Sequence, residues 1–360
     1  MSRILVITTS YPSLDDDCAG HFVLAEVDRL LAEGHDVTVL APRARRTEQR
    51  ARVIDLPHLG AFGSPGALAR LRGRPDRWVG AFLFVLTARL ATRRLAPSDR
   101  TIAHFILPSF WPIAASNPGR VEAVIHGSDL RLLERLPAFV RKRVLRPRAG
   151  VERSFRCVST ELAERLAKWL PSQEAQAIRI APSPIHIPVL PDKAALRRSL
   201  NVGTEKLVVV VSRLIPSKRV HVALRAATAT SAKVVVCGSG PERAPLHREF
   251  PEVHFCGQVP RARALEWLAA SDVVLSASID EGAPTVVREA RALGVPVVAM
   301  QAGDLTRWAE NDPGITVVKR RPNRDQIPRQ DQDLIRNLNQ EQNLNQEEDL
   351  TQALLRILNP

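Results

Sequence analysis

The chain lacks any long apolar run. Its longest, residues 79–86, falls well short of the about 20 residues that a membrane-crossing helix needs. The opening residues, MSRILVITTS, go straight into a strand-like pattern, with no basic region followed by an apolar one, so no secretion signal is read there. Cysteine is scarce: Cys18, Cys157, Cys237 and Cys256 have no metal-ligand spacing, and three of them sit in strand-like apolar contexts. They are expected to be reduced core residues of a cytoplasmic protein. Aromatic residues make up only 4% of the chain and no nucleic-acid module is visible, so nucleic acid is not an expected partner. Lysine is scarcest among the charged types, seven residues against 44 arginines.

What is present is length, alternation and arginine. The 360 residues suit two domains, each able to bury a core, and 45% hydrophobic with 25% charged residues is a globular composition. The net charge of +13 is almost all arginine, clustered at 43–52, 70–77 and 141–148 in the first half. Genome base composition produces such a skew. So does attraction to an anionic surface, where each basic residue contributes about 1 kcal/mol near lipid headgroups. Residues 74–94 read as amphipathic, and the expected location is cytoplasmic with peripheral contact at the inner face of an anionic membrane.

Strand-like runs fall at 4–8, 37–41, 102–106, 123–126, 156–159 and 178–181, with helical runs such as 22–33 between them. A proline-rich stretch, 182–191, reads as a linker. The alternation then restarts at 207–212, 233–237, 253–256, 273–276, 296–299 and 315–318, with helices at 262–270 and 285–293. This is the signature of parallel βαβ units. The expected fold is α/β, two Rossmann-like doubly wound domains facing a cleft, over 1–185 and 186–319. A Gln/Asn-rich low-complexity segment, 320–348, is expected to be solvated, with a terminal helix over 349–360.

The most informative segment is 279–300, IDEGAPTVVREARALGVPVVAM. Glu281 lies where a loop meets a helix, and Glu289 follows eight positions on, about 2.2 helical turns, so both carboxylates can face one site. That site is where a parallel sheet ends, the place open α/β sheets bind ligands. After the strand 207–212 come Arg213 and Lys218, a planar fork and a point charge that can close on a diphosphate. Gly238 and Gly240 follow the next strand and permit close backbone approach. The third glycine of a dinucleotide fingerprint is absent, so a nicotinamide or flavin site is rejected. The loop 257–260, with Val259 in it, can present backbone groups to a base. In the first domain, Gly20 precedes a helix whose free N–H groups suit an anion. His126, in HGSD, sits at a strand end, and His104 is a weaker parallel. The acidic run 15–17 is expected to face solvent rather than hold a metal.

Together these motifs resemble the retaining GT-B glycosyltransferases called family 4, or glycosyl transferases group 1. The resemblance runs from Arg3 to about Val318 and rests on Glu281 and Glu289 with seven residues between them, Arg213 with Lys218, GSGP at 238–241 and HGSD at 126–129. It implies that Arg213 and Lys218 hold the donor diphosphate and stabilise its departure. Glu289 would bind the ribose; Glu281 and the backbone of Gly282, Ala283, Pro284 and Thr285 would contact the donor sugar. His126 would sit near the reacting centre and Gly20 on the diphosphate side. The implied donor is a UDP- or GDP-linked sugar and the acceptor a glycan or lipid-linked envelope precursor, with no cofactor and no metal. A non-catalytic nucleotide-sugar-binding scaffold and a nucleotide-sugar epimerase are the alternatives. Two departures stand out. The segment 181–188, APSPIHIP, replaces a stretch that family members often carry, and the glutamine-rich tail replaces a tidier C-terminal region.

Overall fold

The computed structural model describes residues 1–12, 20–42, 51–63, 66–71, 74–146, 148–279, 281–319 and 332–359. The acidic run 15–17, Cys18 and most of the 43–52 arginine cluster lie outside them. The chain divides into two compact units, Met1–His186 and Ile187–Pro360.

The first unit holds β1 (Arg3–Ile7), β2 (Asp36–Pro42), β3 (Arg52–Leu56), β4 (Arg100–His104), β5 (Gly119–Ile125), β6 (Val151–Cys157) and β7 (Arg179–Ile180). They form one parallel sheet in the order β3-β2-β1-β4-β5-β6-β7. The central strands are almost unbroken apolar runs because helices cover both faces. The helix His21–Ala32 buries Val23, Glu26, Val27 and Leu30, spaced for one helical face. β3 was not expected. It is a short edge strand, mostly half-exposed, and its RVIDL sequence shows no clean alternation.

The second unit holds β8 (Leu207–Val211), β9 (Lys233–Cys237), β10 (His254–Gly257), β11 (Val273–Ser276), β12 (Val297–Met300) and β13 (Ile315–Val318). Its parallel order is β10-β9-β8-β11-β12-β13. Side chains alternate across the sheet: Val208 and Val210 enter one core, Leu207 and Val209 the other. Both sheets have the Rossmann order, reversing direction between β1 and β4 and between β8 and β11. Loops leaving the carboxyl ends of those strand pairs diverge there and leave room for a ligand.

The tail departs from expectation. One helix, Gln332–Leu358, includes much of the segment expected to be solvated. Its last part, the terminal helix expected over 349–360, packs as expected: Leu350, Ala353, Leu354 and Leu358 join the second unit's core. Asn343 accepts from Arg219, and the Thr351 hydroxyl donates to the Ala226 carbonyl. Glutamine, glutamate and leucine are good helix formers, so a repetitive composition concealed an ordered element.

Arginine also does more inside the first unit than its surface reading suggests. Arg70 donates to the Gly60 carbonyl, and Arg141 donates to the carbonyls of Glu134 and Leu136 and lies over the Trp169 ring. Cys157 and Cys237 are buried and reduced, and Cys256 is reduced and partly buried. Among the described residues, no helix is long and apolar enough to cross a membrane.

Candidate active site

In the second unit, β8 and β11 are adjacent and parallel, so the loops that leave them meet at one sheet edge. The loop after β8 passes Arg213 and closes in a short 3-10 turn, Pro216–Lys218. The loop after β11 carries Glu281. Across 63 positions of sequence, Lys218 Nζ donates to Glu281 Oε1, and both side chains are largely buried. The pairing is what the strand order requires of two charged residues at the switch point.

Glycine lets the loop after β9 press onto the backbone that follows β8. A Cβ on Gly238 would stand 1.8 Å from the Ser212 carbonyl oxygen, and one on Gly240 would stand 2.2 Å from that of Leu214. The two loops are stitched by Leu214 N–H to Ser239 O at 2.9 Å and Glu242 N–H to Leu214 O at 3.1 Å. Gly238 N–H in turn donates to Gly257 O at 2.7 Å, which ties in the loop carrying Val259. Arg213 is exposed at the head of this stack. Gly303, which sequence reading missed, plays the same part on the other side. Its φ is +51°, and a Cβ there would meet the Gly282 carbonyl at 2.5 Å. A glycine three residues past β12 was the available signal.

Gly282 and Pro284 are buried, while Ala283 and Thr285 are partly exposed where the helix Thr285–Ala292 begins. Glu289 is buried two turns on and accepts from Arg261 at 2.7 Å. Burial raises its carboxyl above the ordinary range, and Arg261 and then Arg288 pull it back. Each acid therefore has its own cation: Glu281 has Lys218, and Glu289 has Arg261. Arg261 was not anticipated. It is the first residue of the helix Arg261–Ala270, directly after the Val259 loop.

In the first unit, Gly20 has φ +80°, and a Cβ would lie 2.6 Å from the Ser10 backbone, so only glycine fits at this helix start. His126 follows β5. The buried Asp129 holds the turn: Oδ1 accepts from the N–H groups of His126 at 3.1 Å and Gly127 at 2.9 Å, and Oδ2 from Ile106 N–H at 2.9 Å. Thus the aspartate of HGSD shapes the backbone rather than meeting a ligand. The His126 ring packs between Phe22 and Phe105, centroids 4.6 and 4.8 Å away, and Phe105 holds a rare φ of +75°.

Behind His126 is a buried polar network. His126 Nε2 is 3.0 Å from His104 Nδ1, and His104 Nε2 is 3.7 Å from Glu26 Oε2. Arg156 donates to Glu26, and its Nε lies 3.5 Å from Glu122, which also binds Arg100 and Arg179. Burial, then Arg156, pushes the His104 imidazolium down to about 3. Burial, His104 and Arg156 lower His126 well below the usual histidine value. Both rings are neutral near pH 7, so His126 offers hydrogen bonds rather than positive charge. The sequence signal for this network was Glu26 itself, an acid on the apolar face of its helix.

The chain as a whole is similar to known proteins. The profile of the family described as "Glycosyl transferases group 1" matches residues 192–348. A Bacillus subtilis (strain 168) protein assigned to teichuronic acid biosynthesis as glycosyltransferase TuaC is 30% identical over 329 residues, 84% of this chain and 82% of that one. Sucrose-phosphate synthase from Thermosynechococcus elongatus superposes with a TM-score of 0.64 at 18% identity, covering 99% of this chain and 96% of that one. Anabaena HepE in complex with UDP-glucose does so with a TM-score of 0.63 at 16% identity, again over 99% and 96%. These two likenesses are of fold. The alignment to the Bacillus protein and the matching family profile show that the chain belongs to the glycosyl transferases group 1 family, and its two Rossmann-like units are those of the GT-B fold.

Proposed function

We propose that this glycosyltransferase moves a sugar from a UDP- or GDP-linked donor to a lipid-linked or envelope glycan precursor, with retention at the anomeric carbon. The observation that carries the donor reading is the Lys218–Glu281 pair at the switch point of the second sheet. A nucleotide sugar loses its diphosphate, so negative charge grows on the departing oxygen. Arg213 and Lys218 stabilise that charge, the role a divalent ion plays in other transferases. Glu281 exchanges its hold on Lys218 for a sugar hydroxyl as the diphosphate arrives, and the backbone from Gly282 to Thr285 lines the sugar. Glu289, steered by Arg261, takes the ribose hydroxyls. His126 contacts the sugar as a neutral hydrogen-bonding group, and Gly20 serves the diphosphate side.

Retention is carried over from the retaining transferases that the motifs resemble, and the carboxylates bear only on its route. Glu281 and Glu289 are each held by a cation, and neither is positioned as a separate nucleophile for a two-step displacement. Departure and attack on one face of the donor then need only the cations and an acceptor hydroxyl. The acceptor class follows the Bacillus relative, whose name places it in teichuronic acid biosynthesis. A screen of UDP- and GDP-sugars with a mass-spectrometric readout tests the donor, and the anomeric configuration of the product tests retention. Binding of a donor with neither hydrolysis nor transfer, on any acceptor, would instead support a sugar-nucleotide-binding scaffold.

A further inference from the structure

The helix Pro75–Arg94 is apolar on the wrong side. The pattern over 74–94 predicts an amphipathic helix, yet the helix presents large apolar groups both inward and outward. Gly80, Phe84 and Ala88 are buried on the inward side. A Cβ on Gly80 would stand 2.0 Å from the His58 carbonyl oxygen, so the helix cannot roll to hide its other face. On that outward face Trp78, Val79, Phe82, Leu86 and Leu90 are between 41% and 69% exposed. At 100° per residue these five span an arc of about 120°. Five large side chains in one contiguous arc make a patch of the kind that marks an interaction site, not scattered surface apolars.

Charge identifies the occupant. Arg89 and the exposed Arg93 fall within the same arc, and the helix's one acid, Asp76, lies at its start in an ion pair with Arg74. The outward arc thus carries apolar and cationic groups and no carboxylate. A second copy of this face would bury four guanidinium groups with no anion on the surface to pair them. An anionic bilayer suits both components. Its acyl boundary takes the apolar side chains, its phosphates take the arginines, which can extend along their stems to reach them, and Trp78 suits the interfacial layer.

We propose that the outward face of Pro75–Arg94 lies in the interfacial layer of an anionic lipid membrane and docks the enzyme there. The purpose of docking rests on the lipid-linked acceptor proposed above. Binding itself is measured without any donor, so its failure and the failure of the transferase reading are separable.

The test is flotation of the full chain with vesicles of phosphatidylglycerol and phosphatidylcholine, against phosphatidylcholine alone. The expected result is binding to the anionic vesicles, weakened by salt. The double variant Phe82→Ser/Leu86→Ser should reduce partitioning at least about tenfold with an unchanged melting temperature, because both side chains are exposed. Arg89→Gln/Arg93→Gln should lower the preference for anionic over neutral vesicles. Trp78→Phe should remove a blue shift of tryptophan emission on binding. Undiminished binding of the serine variant overturns the proposal. So does absence of binding, whether the protein is then monomeric or forms a dimer in sedimentation that Phe82→Ser/Leu86→Ser dissolves.

Discussion

At the scale of single residues, the site is a set of charges whose partners are set by strand order. Lys218 and Glu281 meet because β8 and β11 are neighbours. Replacing Lys218 by alanine removes a cation from the leaving diphosphate, which corresponds to a fall of about 10²–10³ in kcat by analogy with loss of one transition-state donor. It also leaves Glu281 half-sequestered without its cation, a stability cost of about 1–3 kcal/mol. Glu281→Gln keeps Lys218 for the diphosphate and an amide oxygen to accept from it, so it should lose turnover at a smaller stability cost than Lys218→Ala. Kinetics with one fixed donor, beside urea denaturation, check both; an undiminished kcat in Lys218→Ala would remove the pair from the chemistry. The histidines give a second prediction. A carboxylate favours the proton on the nitrogen facing it, so Glu26 places a proton on His104 Nε2 and leaves Nδ1 to accept from His126 Nε2. Nitrogen-15 spectra should therefore show His126 as its Nε2–H tautomer, with Nδ1 left to accept from a substrate hydroxyl, and Glu26→Gln should blur that preference.

The same two rings make stability depend on pH, with a definite sign. Both have folded pKa values below the unfolded one, so the unfolded chain binds more protons and stability is lost as pH falls through about 6.5 toward the folded value, about 3 for His104. Each ring contributes a slope on the order of 1.4 kcal/mol per pH unit below the unfolded value. The carboxyl of Asp129 is raised by burial and acts in the opposite sense. Urea midpoints at pH 7, 6 and 5 check the sign of the net dependence. A midpoint that holds constant to pH 5 would mean that the two buried rings do not set the acid-side stability of the folded protein.

At the scale of elements, periodicity made most of the fold legible. The apolar runs at β1, β8, β9 and β12 are buried on both faces and stand out in any reading of the chain. β3 and β7 did not stand out, or did so only roughly, since edge strands carry polar and half-exposed residues. The positions of Lys218, Glu281 and the glycine loops followed from strand ends. Arg261, Arg156 and Glu122 did not, because a buried charge and a surface charge read alike until the third dimension supplies a partner. The tail was obscured by composition, and it yields a sharp contrast. Leu354→Ala removes a fully buried side chain and should cost about 2–5 kcal/mol. Leu344→Ala, an exposed position on the same helix, should stay within about 0.5 kcal/mol. Equal effects in chemical denaturation would show that the helix does not belong to the second unit's core.

At the scale of the whole molecule, the division of labour follows from where the cores lie. The second unit covers both faces of its own sheet, one face closed by the helix Val220–Thr228 and the C-terminal helix, the other by Arg261–Ala270 and Thr285–Ala292. Such a unit should fold alone. Arg213, Lys218, Gly238, Gly240, Val259, Glu281 and Glu289 all belong to it, so residues 187–360 expressed separately should bind UDP or GDP with an affinity comparable to that of the full chain. They should not turn a donor over, because His126 and its Glu26–His104 support belong to the first unit. Within the isolated unit, Lys218→Ala should weaken binding about tenfold or more, since hydrogen bonds to charged groups contribute about 1.5–3 kcal/mol. Calorimetry on the fragment and on the full chain decides the matter. Tight binding by the full chain with none by the fragment would move the diphosphate contacts to the first unit, to the helix start at Gly20, and leave Lys218 and Glu281 as an ion pair that holds two loops together.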